Sequence, residues 1–135
     1  MVSVSRDSKF NELASTAEET SARVKDMVTD PARMKRTDPG NPDICNVFSM
    51  HKIFSPAEEV EMINTECRVA GIGCVDCKKR FAANLNKHLE AFRAKRAELA
   101  AKPDYVQDVL NDGAKRARAI AQQTMAEVRE AMQLP

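Results

Sequence analysis

The sequence has no long run of apolar residues. None of its stretches approaches the roughly 18 consecutive apolar residues of a membrane-spanning helix, so we expect no transmembrane span and no membrane partner. The first residues, Met1 to Asp7, also lack the apolar segment of a secretory signal peptide. We therefore expect a cytoplasmic protein whose thiols stay reduced, whereas an oxidising compartment would permit one or two disulfides.

Aromatic residues, glycine and proline are scarce as well. Aromatics make up 4% of the 135 residues, and the chain contains four glycines and six prolines. We find no segment with the sustained alternation of a β-strand and no internal repeat. The second half is dominated by the strong helix formers Ala, Glu, Lys, Arg, Leu and Met. The sequence predicts a single all-α domain, a helical bundle.

The organisation along the chain follows from helix starts and turns. Residues 1–14 show no sustained period and are predicted to form an N-terminal arm, followed by a helical domain over residues 15–135. Ser15 and Thr16 are each followed three residues later by a glutamate, which is the capping-box pattern at a helix start. Residues 37–43 are rich in turn formers. Ser55-Pro56 predicts another helix start, with the serine as the cap and the proline as the first helical residue.

Two long helices are expected at the C-terminal end. One runs from Cys74 to about Lys102, and Pro103 begins the next. The apolar stripe predicted for the first of them consists of Phe81, Leu85, Leu89, Phe92 and Leu99. Their narrow apolar stripes and the short connection predict a packed antiparallel hairpin about 40 Å long. Gly113 lies inside the last helix, where it costs about 1 kcal/mol relative to alanine unless a neighbour packs closely.

The net charge is only +1, but the basic residues are clustered. The clusters are Arg33, Lys35 and Arg36; Lys78, Lys79 and Arg80; Arg93, Lys95 and Arg96; and Lys115, Arg116 and Arg118. Such clusters can bind phosphates, and they are also common on solvent-exposed helix faces.

Four cysteines form the most specific pattern in the chain. Between Cys45, Cys67, Cys74 and Cys77 lie 21, 6 and 2 residues respectively. Cys74 and Cys77 are one helical turn apart, and Gly71 and Gly73 permit a tight bend that brings Cys67 near them. Four thiolates could hold either a zinc ion or a 4Fe–4S cluster. His51 and His88 are isolated and are expected to be packing or surface histidines.

Three segments resemble the C-terminal helical domain of bacterial tryptophanyl-tRNA synthetases. They are Thr29-Asp30-Pro31-Ala32-Arg33, Arg36-Thr37-Asp38-Pro39-Gly40-Asn41-Pro42, and residues 113–121. Some members of that family carry a 4Fe–4S cluster on cysteines separated by 22, 6 and 2 residues, and the first interval here is one residue shorter. The resemblance covers residues 15–135. It implies a cluster near an anticodon-binding surface.

The catalytic signatures of that family are missing. The chain contains no Rossmann region, no HIGH motif and no Gly-rich phosphate loop, so we assign no catalytic and no ATP-binding residue. The family's Lys-Met-Ser-Lys-Ser signature would fall near Met1-Val2-Ser3-Val4-Ser5, where both lysines are absent, so residues 1–14 look like a remnant of that loop. ATP and tryptophan would therefore be used only by an absent catalytic domain, and this chain alone is predicted to be inactive.

The resemblance favours a function in reading the tryptophan anticodon of tRNA. The predicted phosphate contacts are Lys78, Lys79, Arg80, Arg33 and Arg36. One alternative is a free-standing iron–sulfur or zinc protein used for redox sensing. Another is a helical subunit that completes a separately encoded synthetase catalytic domain in trans.

Overall fold

The computed structural model describes Leu13 and residues 15–134, and this part of the chain is all-helical. Helix makes up 74% and no strand occurs in the described residues, which confirms the predicted all-α class. The elements are α1 (Ala17–Asp26), a 3-10 turn (Pro42–Ile44), α2 (Asn46–Phe54), α3 (Ala57–Arg68), α4 (Cys74–Ala100) and α5 (Pro103–Ala131). None of these helices is long and apolar enough to cross a membrane. The arm predicted for residues 1–14 lies outside the described residues, apart from Leu13.

Helix α1 begins at the predicted capping box. The Thr16 hydroxyl accepts a hydrogen bond from the Glu19 backbone N–H at 3.1 Å, and the Glu19 carboxylate accepts one from the Thr16 N–H at 2.9 Å. This reciprocal pair satisfies two of the donors that a helix N-terminus otherwise leaves without a partner. Of the two overlapping patterns, the chain therefore uses the one that starts at Thr16.

The start of α3 differs from the prediction. Helix α3 begins at Ala57, one residue later than expected, and Pro56 is its N-cap without a side-chain capping bond. The Ser55 hydroxyl is instead 2.7 Å from Nδ1 of His51 and accepts a bond from the Asn84 amide at 2.9 Å. A hydroxyl that meets two side chains from other helices is not available as a local cap, so tertiary contacts overrode the sequence pattern.

The chain divides into two compact units, one ending at Arg93 and the other beginning at Ala94. The core of the first unit is centred on Phe81, which is completely buried. Its ring packs edge-on against the His51 ring, with the centroids 5.2 Å apart, and lies 6.3 Å from the Phe54 ring. Leu85 and Leu89, the next residues of the predicted apolar stripe of α4, are also buried. Helices α1 to α3 supply the rest of this core, with Val24, Val47, Phe48 and Ile63.

The predicted packing of α5 is not found. No residue of Pro103–Ala131 is buried, and apolar side chains such as Ile120 and Met125 are exposed. The stripe of α4 also stops earlier than predicted, because Phe92 is 45% exposed. An amphipathic pattern specifies that a helix has an apolar face, but it does not specify what covers that face. The core of a packed C-terminal hairpin is therefore absent from the described structure.

Two phenylalanines of α4 allow the core assignment to be tested. Replacing Phe81 by alanine should lower the free energy of unfolding by about 3–5 kcal/mol, because it removes a buried ring and leaves a cavity. Replacing the half-exposed Phe92 by alanine should cost less than about 1 kcal/mol. Chemical denaturation followed by circular dichroism measures both, and equal losses would contradict the assignment.

Candidate metal centre and nucleic-acid interface

The four cysteines come from three segments of the first unit. Cys45 caps the start of α2, Cys67 lies in the last turn of α3, and Cys74 and Cys77 occupy the first turn of α4. Cys45 and Cys77 are buried, whereas Cys67 and Cys74 are half-buried. All four thiols are free, so no disulfide joins them.

The four thiols are also electrostatic neighbours. Burial raises the pKa of Cys77 from 9.0 to about 12, and the charges of Cys45, Cys67 and Cys74 add to that rise. Burial likewise raises the pKa of Cys67, which Arg33 opposes and Cys45 and Cys74 reinforce. Because these pKa values are raised, the thiols of this region stay protonated unless a strong positive charge stabilises the thiolates. A bound metal ion supplies such a charge, since a thiol that coordinates a metal is deprotonated.

A tight turn brings Cys67 and Cys74 together, although not through the expected residues. Neither Gly71 nor Gly73 has a positive φ, and the left-handed residue is Ala70, with φ 58°. A Cβ at position 71 would meet the Glu66 carboxylate, which is the far end of a flexible side chain and can move aside. The Gly71 N–H closes the turn by donating to the Glu66 carbonyl at 2.8 Å.

The loop before α2 packs directly onto this turn. The Gly40 N–H donates to the Cys67 carbonyl at 2.9 Å, and a Cβ at Gly40 would stand 2.6 Å from the Cys67 sulfur. Asp30, which is buried, fixes the other end of the loop. Its carboxylate accepts hydrogen bonds from the backbone N–H groups of Ala32 and Asn41, both at 2.8 Å. This role of Asp30 was not predicted from the sequence, although the Asp-Pro pair is typical of such a side-chain turn.

Arg33 points into the cysteine region and not toward solvent. Its Nη1 lies 3.9 Å from the Cys67 sulfur and 3.8 Å from the Cys74 sulfur. Its Nη2 donates to the carbonyls of Arg36 at 2.8 Å and Ile72 at 2.9 Å. Its Nε is buried and has no hydrogen-bond partner in the described part of the chain. Leaving such a donor unsatisfied costs about 1–3 kcal/mol, so this place suits an added acceptor.

The described residues do not show a metal site. They include no group of three or more His, Cys, Asp or Glu side chains arranged to hold a metal ion. The predicted four-cysteine centre is therefore present as a cluster of neighbouring thiols, and its occupation stays a prediction.

His51 is confirmed as a packing histidine beside this region. It is completely buried, and its Nε2 lies 3.2 Å from the Cys77 carbonyl oxygen. Burial lowers the pKa of His51, opposed by that hydrogen bond, and so favours the neutral ring. His88 contacts the edge of the Phe54 ring, with centroids 5.2 Å apart.

The other predicted phosphate contacts lie around the first turns of α4. Lys78 donates from Nζ to the Lys25 carbonyl at the end of α1, at 2.7 Å. Lys79 and Arg80 form loose ion pairs with Asp76 at 3.6 Å and Glu59 at 3.7 Å, and their side chains stay 75% and 53% exposed. Exposed pairs of this kind contribute little stability, so an anion can displace them at small cost.

Two clefts meet at Cys74 and Val75. The larger, of about 580 Å³, lies along α1 and α4 and is lined by Ser21, Lys25, Lys78, Lys79 and Asn86 among others. The smaller, of about 220 Å³, is lined by Arg33, Met34, Lys35 and Arg36 on its basic side. Val75, which both clefts share, is 63% exposed. The structure thus brings four of the five predicted contacts to two adjoining clefts, and Arg80 lines neither.

The chain matches no family model, but it has relatives in sequence among known proteins. The tryptophan–tRNA ligase of Deinococcus radiodurans is 52% identical over 102 residues, which are 76% of this chain and 31% of that protein. The tryptophan–tRNA ligase of Aquifex aeolicus is 44% identical over 119 residues, which are 87% of this chain and 30% of that protein. The homologues of the present chain are thus tryptophan–tRNA ligases.

The fold agrees with the sequence match. The crystal structure of tryptophanyl-tRNA synthetase from Campylobacter jejuni superposes with a TM-score of 0.78 at 26% identity, covering 91% of this chain and 39% of that one. The chain spans about a third of the length of the tryptophan–tRNA ligases it matches. The relatives thus belong to the family that the three segments resemble, and they match over most of this chain.

Gly40 and Gly113 allow a matched test of the packing around Cys67. Replacing Gly40 by alanine should cost about 1–3 kcal/mol, because the new methyl group forces the Cys67 sulfur or the loop to move. Replacing Gly113 by alanine should instead stabilise the chain by about 0.5–1 kcal/mol, because nothing lies within 4 Å of the added Cβ and the helix gains propensity. The measurement is the free energy of unfolding, and a Gly40 variant as stable as wild type would refute the contact.

Proposed function

We propose that this chain is the anticodon-reading portion of a tryptophan–tRNA ligase, formed by residues 15–135 as a helical anticodon-binding domain. Its partner is tRNA that carries the tryptophan anticodon. The observation that carries this proposal is the pair of adjoining basic clefts beside the cysteine turn. The homologues support the family, because each relative matches most of this chain.

The clefts suit a single-stranded nucleic acid chemically. Lys78 and Lys79 border the larger cleft and Arg36 borders the smaller one, so both sides offer cations to phosphates. Val75 and Met34, which are 63% and 82% exposed, add apolar surface between these cations. Unpaired bases need both features, because phosphate contacts position the strand while base faces and edges meet the protein in pockets. Arg80 extends the basic surface along α4.

We propose that Cys45, Cys67, Cys74 and Cys77 hold a 4Fe–4S cluster. The donor set supports this, since the four free thiols from three segments interact electrostatically. Beside two of them, Arg33 keeps a buried Nε–H that has no acceptor among the described residues. A bound cluster would link the three segments covalently and supply the positive partner that the thiolates need. Zinc, the alternative, requires all four sulfurs about 2.3 Å from one ion.

The proposal assigns no catalytic and no ATP-binding residue to this chain. Activation of tryptophan with ATP would belong to a synthetase catalytic domain, either covalently attached or provided as a separate partner. The chain alone should therefore bind tRNA without charging it. Its basic clefts would orient the anticodon, and its cluster would fix the segments that line these clefts.

Filter binding with two tRNAs tests the proposal. The chain should bind tRNA with the tryptophan anticodon more tightly than the same tRNA with a wrong anticodon. Replacing Lys79 by alanine should weaken binding of both tRNAs alike and reduce the slope of log affinity against log salt by about 1, because one phosphate contact is lost.

Lys95 provides the matched control, because it pairs with Glu98 at 2.8 Å and lines neither basic cleft. Its replacement by alanine removes the same charge and should leave the salt slope unchanged. Equal binding of the two tRNAs by the wild-type chain would overturn the claim of anticodon recognition.

A further inference from the structure

We propose that Arg33 is a positioning residue for the cluster, which it serves by donating N–H···S hydrogen bonds to Cys67 and Cys74. The inference rests on the proposed 4Fe–4S cluster and deepens it, because it assigns the second-layer residue that sets the properties of two ligands. It also gives Arg33 a role other than the phosphate contact that the sequence suggests.

The geometry of the guanidinium supports this role. Nη1 lies 3.9 Å from the Cys67 sulfur and 3.8 Å from the Cys74 sulfur, so a single nitrogen faces both ligands. Nη2 is held by two carbonyls, that of Arg36 in its own segment and that of Ile72 in the cysteine turn. Because these bonds fix the plane of the guanidinium, Nη1 stays directed at the sulfurs. Arg33 thus joins the loop before α2 to the turn before α4.

The Asp30 turn and Gly40 restrain the backbone and the side chain of Arg33. Its N–H donates to the Asp30 carbonyl at 3.3 Å, and the buried Asp30 carboxylate fixes the next turn through Ala32. Gly40 then packs against the Arg33 side chain, since a Cβ there would lie 3.3 Å from its Cδ. A side chain restrained on both sides presents its donors with little further loss of freedom.

The chemistry of arginine matches a sulfur-rich anionic group. The guanidinium is always charged and donates in several directions at once, which a lysine cannot reproduce. Hydrogen bonds to cluster sulfurs and nearby positive charge favour the reduced, more negative state, so they raise the reduction potential. Outer-layer partners of metal ligands also contribute to retention of the metal. Arg33 should therefore influence both the potential and the stability of the cluster.

The test compares Arg33→Gln, Arg33→Lys and a charge-matched control in anaerobically purified chain. Arg68→Gln is that control, because Arg68 neighbours Cys67 in sequence but directs its guanidinium to Asp43 at 2.8 Å. The two readouts are the midpoint potential of the cluster and the rate of iron loss to a chelator. We expect Arg33→Gln to lower the potential and to weaken iron retention by about 10- to 100-fold. Arg68→Gln should match the wild type in both.

Arg33→Lys keeps the positive charge but loses the planar set of guanidinium N–H donors. Its midpoint potential and its rate of iron loss should therefore fall between those of the wild type and of Arg33→Gln. If Arg33→Gln does not fold, the lysine variant alone tests the role of Arg33. Lysine and glutamine variants that match the wild type in potential and iron retention would overturn the role of Arg33 alone. Wild-type protein that holds no iron would overturn the proposed cluster and this assignment together. The two failures are therefore distinguishable.

Discussion

The buried carboxylate of Asp30 ties together the parts on which the cysteine region depends. It accepts backbone hydrogen bonds from Ala32 and from Asn41, so it closes the loop that carries Arg33 at one end and Gly40 at the other. Arg33 and Gly40 then both contact Cys67, one through its guanidinium and the other through its backbone N–H. Without this loop, the turn between α3 and α4 would lose the surface against which it packs. The smaller cleft beside Val75 would lose one wall for the same reason.

Patterns that depend on local physics were predictable from the sequence. The capping box at Thr16 follows from hydrogen bonding near a helix end, and the buried stripe through Phe81 and Leu85 follows from the 3.6-residue period. The cysteine spacing predicted a site shared by three segments; their thiols are electrostatic neighbours in the structure, and a bound metal stays a prediction. The relatives agree with the family that the Thr-Asp-Pro segments indicated.

Features that depend on distant partners were not predictable in the same way. Ser55 was expected to cap α3 but contacts His51 and Asn84. The cysteine turn was expected to bend at Gly71 and Gly73, but its left-handed residue is Ala70. The inward direction of Arg33 depends on carbonyls up to 39 residues away in sequence. Helix α5 was predicted to pack through its periodic apolar face, but this face is exposed in the described structure. Periodicity establishes a face, and only tertiary contacts establish its partner.

The central claim is that the four thiols hold a cluster that shapes a tRNA-reading surface. The most direct measurement is the visible absorption spectrum of anaerobically purified protein, together with its iron and acid-labile sulfide content. We predict a brown protein with about four irons and about four sulfides per chain, as a cubane cluster requires. A colourless protein that binds one zinc ion, or no metal, would contradict it.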